Sequence, residues 1–236
     1  MYRTTWRATL GLAACVFCAA SAAADKELPA FPGAEGFGAI AKGGRGGRVI
    51  KVTSLKPSGP GSLQEACAAE GPRTIVFAVS GVIEGDVLIE HGDLTILGQT
   101  APGAGITIAG SLKTRYRARQ PIDDLIVRFL RVRSANARGA SGDTLQFSEN
   151  KRVMLDHVSA AWGTDETVDI FGAQDVTIQW CSIVESQTTG HPEGQHNYGL
   201  INGPQGARVT IHHTLFAHHR RRCPAIANGR RTSATT

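Results

Sequence analysis

Apolar residues in this chain come in short runs separated by glycine, asparagine and aspartate, not in helix-length amphipathic stretches. Five runs share one pattern: Leu94-Thr-Ile-Leu, Leu125-Ile-Val-Arg-Phe, Val153-Met-Leu-Asp-His, Val176-Thr-Ile-Gln-Trp and Val209-Thr-Ile-His-His. Their starts lie 31, 28, 23 and 33 residues apart. Short strands at a loosely constant period mark a solenoid in which each repeat buries its apolar face against the next. Arg48-Val-Ile-Lys-Val-Thr, Thr74-Ile-Val-Phe-Ala-Val, Val82-Ile-Glu-Gly and Ile106-Thr-Ile-Ala-Gly read as further strands. Helices are too few for crossover connections of an α/β sheet. The pattern predicts an all-β chain, a right-handed parallel β-helix whose uneven spacing is absorbed by loops on one side. An antiparallel sandwich is the alternative, but its hairpin signals are nearly absent. One short N-terminal capping helix is expected after Ser62, a serine N-cap with Glu65 three residues on.

A second periodicity concerns acids. Thr144-Leu-Gln-Phe precedes the strand at Val153 as Thr167-Val-Asp-Ile-Phe precedes the strand at Val176, and both offsets are 23 residues. One turn of stacked strands then brings Asp143 beside Asp165 and Asp169. Carboxylates gathered in this way repel one another or share a cation, and hard oxygen ligands suit calcium.

Composition adds less. The chain has 236 residues and a formal charge of +5. Arg3 and Arg7 precede an apolar run from Ala8 to Ala20 and the small residues Ser21-Ala-Ala-Ala24, so residues 1–24 read as a secretory signal and export is expected. That run is too short to span a bilayer, and no second candidate span follows. Without the leader the charge is +3, and Cys67, Cys181 and Cys223 remain. Three cysteines allow one disulfide plus a free thiol, or structural thiols, but have no metal-ligand spacing. Residues 25–236 form the β-helix domain, which reads as incomplete at its C-terminal end because the polar tail from Asn228 is poor in strand signals. The glycine-rich 33–47 segment lacks the strand-to-helix context of a phosphate loop. No basic stripe interleaved with aromatics suggests nucleic acid, and the chain is expected to act as a monomer.

The strand Val153-Met-Leu-Asp156-His157-Val-Ser, the following Trp162-Gly-Thr-Asp-Glu-Thr-Val-Asp169-Ile, the opening Phe31-Pro-Gly-Ala-Glu-Gly-Phe-Gly and the closing Val209-Thr-Ile-His-His with Arg222-Cys-Pro224 together resemble the pectate lyase family. The likeness runs from about Phe31 to Pro224. It implies a right-handed parallel β-helix that cleaves de-esterified homogalacturonan by β-elimination with calcium. Of the family's Asp-x-Asp, this chain keeps the second acid, in Ser141-Gly-Asp143; the acid four residues before the aspartate of Val-Asp-Ile gives Asp165 and Asp169. These three are the calcium candidates, with Glu166 an extra acid beside them. The family's proton-abstracting arginine, two residues before a proline, falls on Arg222. A substrate-binding lysine aligns with Asn197, next to His196, and a second arginine aligns with Ala227. Asn197, His196, Arg220 and Arg221 are therefore the substrate-binding candidates, for an acidic polysaccharide.

From chemistry alone a histidine or lysine is the ordinary base, because guanidinium stays protonated; the resemblance supplies the case for Arg222. Asp156-His157 reads as structural, Trp162 and Trp180 as core or rung-stacking residues, and one of His212 and His213 must point inward. Three other functions stay open: a non-catalytic or decayed polysaccharide-binding solenoid, a pectin lyase needing no calcium, and hydrolysis by paired carboxylates.

Overall fold

In a computed structural model the described residues are Met1, 28–134 and 142–226, with the backbone strand Ser233–Thr235. Their strands form three sheets of eight, six and five strands, every pairing parallel. Successive strands of the chain step from one sheet to the next, as in a right-handed parallel β-helix. The five repeated runs fall in register, Leu94 beside Leu125, then Val153, Val176 and Val209. Their inward residues continue as columns, such as Ile96, Val127, Leu155, Ile178 and Ile211, all buried. Each such side chain contributes about 1.5–3 kcal/mol by leaving water.

The corners between sheets repeat as faithfully as the strands. Asp93, Asp124, Arg152, Asp175 and Arg208, each just before a first-sheet run, have φ of 53° to 59°. Phe129, His157, Trp180 and His213, leading into the second sheet, have φ of 49° to 57°. A left-handed residue other than glycine costs about 1–2 kcal/mol, and contacts between rungs offset it. Arg152 and Arg208 pair with Asp124 and Asp175 at 2.7 and 2.5 Å. The four aromatic corners stack with centroids 4.4, 6.1 and 4.1 Å apart. Trp180 is thus a rung-stacking residue. Asp156 is structural: it is buried and accepts hydrogen bonds from Arg128 and Gln179. Of the histidine pair, His212 is buried and His213 faces outward.

The short helix spans Leu63–Ala68, with Ser62 Oγ accepting from Glu65 N–H at 3.1 Å. Beside Val87–Ile89 it takes the place of a strand: the Gln64 amide donates to Leu88 O and accepts from Leu88 N–H. It therefore covers an edge of the third sheet. Behind it lies Arg73, fully buried, whose guanidinium donates to the carbonyls of Ala66, Cys67, Gly71, His91 and Gly92.

The glycine-rich segment is a strap laid over the outer face of the first sheet. Gly44, Gly38 and Phe37 donate backbone N–H groups to the hydroxyls of Thr95, Thr177 and Thr210. A Cβ on Gly44 would overlap the Arg73 carbonyl, which explains glycine there. Ala41 packs on Ile126 and Met154 beneath it.

The structure decides between the alternatives left open for the cysteines and adds a strand to the tail. Cys67, Cys181 and Cys223 are all free thiols, and burial pushes the first two up to about 12. The tail, read as strand-poor, adds Ser233–Thr235 to the first sheet beside Thr210–His212. An open sheet edge pairs with any extended backbone, whatever its side chains. The leader (1–24) lies outside the described residues except Met1, as does Ala227. No helix among the described residues is long and apolar enough to cross a membrane.

Candidate active site

Where the chain turns from the second sheet into the third, consecutive rungs bring polar residues into line. Asp143 precedes the strand Leu145–Gln146, and Asp165 and Glu166 open the strand Glu166–Asp169. Leu145 pairs with Val168 and Gln146 with Asp169, which is the 23-residue offset seen in the sequence. Asp143 accepts a hydrogen bond from Glu166 N–H at 3.0 Å. On the next rung Tyr198 donates its backbone N–H to Asp165 O. On the rung after that Arg221 bridges to Tyr198. The periodicity of the strands therefore delivers acids and arginine to one line along the axis.

Carboxylate oxygens of Asp143, Asp165 and Glu166 lie within 4.8 Å of one another. Burial, then the nearby charges of Asp169 and Asp165, hold the Asp143 carboxyl well above the ordinary carboxylate range. Asp169 is also raised, first by burial, although Phe171 N–H donates to it at 2.6 Å. This donor set is oxygen only and carries excess negative charge, which fits a hard divalent cation.

A stability consequence follows. A carboxyl raised in the folded state holds its proton more tightly than in the unfolded chain. Stability without a cation should then fall as pH rises from the ordinary carboxylate range through the raised values of Asp143 and Asp169. Millimolar calcium should flatten that fall. Melting temperatures measured across pH 4 to 7 in chelator and in calcium check this; identical curves would separate the acids from any cation.

Arg222 reaches the same cluster. Its guanidinium forms an ion pair with the buried Glu166 and lies over the Tyr198 ring, 3.9 Å from the centroid. Burial lowers its pKa from the ordinary arginine value, and the charges of Asp165 and Asp143 oppose that shift. Its backbone is left-handed, with φ of 60°.

The structure does not present every substrate candidate to solvent. Asn197 is buried; its amide donates to Ser186 O and accepts from Arg220 N–H. This amide ties the segment leading to Arg222 to Ser186, with both its donor and its acceptor engaged within the protein. Arg220 and Arg221 are exposed, Arg220 donating to Gln195 O. His196 Nε2 faces Asp165 Oδ1 at 3.8 Å. Three neighbours were missed from sequence: Tyr198 under Arg222, Glu166 as its ion-pair partner, and His191 beside Asp165. Only Glu166 carried a signal, since the same 23-residue offset sets it next to Asp143.

No family model matches the chain. Among curated proteins it is similar to a probable pectate lyase C of Aspergillus fumigatus, 41% identical over 213 residues, covering 89% of this chain and 48% of that protein. A probable pectate lyase C of Emericella nidulans is 42% identical over 201 residues, 84% of this chain and 45% of the relative. A probable pectate lyase 5 of Arabidopsis thaliana is 27% identical over 195 residues, 78% and 41%. Among solved structures, jun a 1, the major allergen from cedar pollen, superposes with a TM-score of 0.52 at 19% identity, over 75% of this chain and 62% of the allergen, a likeness of fold. This chain is related to the pectate lyases over most of its own length, and it spans about half the length of those relatives.

Proposed function

We propose that this chain carries the site of a secreted pectate lyase that cleaves de-esterified homogalacturonan by calcium-assisted β-elimination. The observation that carries this reading is the meeting of Arg222 with the Asp143, Asp165 and Glu166 cluster, in a chain 41% identical to probable pectate lyases. Asp143, Asp165 and Asp169 would hold the calcium. A calcium held there would supply positive charge beside the substrate carboxylate and so would make the neighbouring C–H more acidic.

The reaction removes the C5 proton of a galacturonate. The C5–H bonding pair becomes the C4–C5 double bond as the C4–oxygen bond breaks, and the departing oxygen keeps that bond's electron pair and takes a proton from solvent. Arg222 accepts the proton. Its partial burial lowers the guanidinium pKa in the required direction, and the Tyr198 ring beneath it fixes its plane. Asn197 positions Arg220, and the exposed Arg220 and Arg221, with the half-buried His196, are offered to the carboxylates of neighbouring sugars. The Arg222–Glu166 ion pair favours a second reading, a solenoid that binds the polymer without turnover, because a buried carboxylate holds its partner protonated.

Ultraviolet absorbance of unsaturated uronides, followed with polygalacturonate in calcium and in chelator, separates the two. A calcium-dependent rise supports elimination. No rise from folded protein that still binds the polymer supports the second reading. Asp169→Asn should raise the calcium needed for half-maximal rate by about tenfold; an unchanged calcium titration would remove Asp169 from the ligand set.

A further inference from the structure

Asp165 has two faces. One belongs to the oxygen cluster described above. Towards the other are two imidazoles on the loop between the strands Ser182–Val184 and Tyr198–Ile201. His191 Nε2 stands 3.6 Å from Asp165 Oδ2 and His196 Nε2 stands 3.8 Å from Asp165 Oδ1. Their rings lie side by side, centroids 3.5 Å apart, and His196 leans on Tyr198 at 4.8 Å. The His191 side chain is 6% exposed and that of His196 is 17% exposed.

We infer that Asp165, His191 and His196 form a binding site for a borderline divalent cation such as zinc, distinct in chemistry from the oxygen cluster and competing with it for Asp165. Ligand atoms from all three residues lie within 4.8 Å of one another. The nitrogen-to-oxygen separations of 3.6 and 3.8 Å, one to each carboxylate oxygen, are near the about 3.3 Å between ligand atoms of a tetrahedral site with bonds of 2.0–2.1 Å. Two imidazole nitrogens and one carboxylate, with a fourth position open, are ligands that zinc accepts and that calcium does not seek. The spacing of four residues between the histidines suits one loop wrapping one ion.

The second contacts of the rings bear on this. His196 Nδ1 donates to Gly194 O at 3.3 Å, which leaves the Nε2 lone pair towards Asp165. His191 Nδ1 accepts from Glu193 N–H at 3.2 Å, so its Nε2 carries the proton in the free protein. Ligation through His191 Nε2 moves that proton to Nδ1 and breaks the Glu193 contact, a local rearrangement of an exposed loop.

The site goes beyond the lyase reading, and its test does not need turnover. Zinc is titrated into the calcium-free protein against a chromogenic zinc chelator, with folding of each variant checked by circular dichroism. One zinc per chain is expected. His191→Ala and His196→Ala should each weaken binding at least tenfold, Asp169→Asn should leave it within about twofold, and millimolar calcium should shift the zinc curve to higher concentration. Zinc binding unchanged in the double histidine variant, or no zinc bound at millimolar concentration, overturns the site. Zinc binding indifferent to calcium overturns the shared carboxylate.

Discussion

Replacing Arg222 by alanine is expected to lower the rate of eliminative cleavage by about 10³-fold, the usual contribution of a positioned base, while calcium binding changes little. That loss corresponds to about 4 kcal/mol of transition-state stabilisation. The variant has a second effect. Glu166 is buried and its ion pair with Arg222 would be gone. A carboxylate left unpaired in that position destabilises the fold or takes up a proton. The double variant Arg222→Ala/Glu166→Gln separates the two consequences. It should recover the stability lost by the single variant and stay as inactive. Initial rates by ultraviolet absorbance, melting temperatures and calcium titration calorimetry on all three proteins make the comparison. Turnover restored in the double variant would remove Arg222 from the proton transfer and leave it a structural partner of Glu166.

Arg73→Met should destabilise the protein by about 3–5 kcal/mol without touching the acid cluster. Five carbonyls converge on the guanidinium, and methionine offers them no donor. Each buried carbonyl without a partner costs about 1–3 kcal/mol, and relaxation recovers part of the sum. For a domain of this size the melting temperature should drop by roughly 10 °C. Arg73→Lys should restore only part of it, since an ammonium cannot spread donors over five oxygens. Urea denaturation gives the measurement. An unshifted midpoint in Arg73→Met would mean that water serves those carbonyls.

Strands and their register were legible in the sequence because a solenoid repeats its inward columns: Leu94, Leu125, Val153, Val176 and Val209 announce themselves by recurrence. The same recurrence brought Asp143 to Asp165 and Asp169, since all three lie on or next to strands of the third sheet. What stayed hidden lies in the connections. His191 and His196 reach Asp165 from a loop whose path no period dictates. Asn197 aligns with a substrate-binding lysine, yet its backbone is left-handed and its amide meets Ser186 and Arg220 within the protein. Glu166 pairs with an arginine 56 residues later, and a charge alone does not name its partner. The pairing of Arg222 with Tyr198 is equally invisible, since it depends on the rung offset after the variable loop.

The glycine strap changes how such a stack comes apart. Solenoid repeats touch only their neighbours, so they can melt from one end, one repeat at a time. Here Phe37 and Gly38 bind Thr210 and Thr177, partners 173 and 139 residues away in sequence, while Gly44 binds Thr95. Loss of the rung at Thr210 removes a docking point from a segment that also secures Thr95 and Thr177. Fraying at one end is thereby linked to the middle, and the array gains the cooperativity of a globular domain. The same stitches raise the contact order. The segment cannot dock until the rungs from Thr95 to Thr210 exist, which makes its closure a late and slow event in folding.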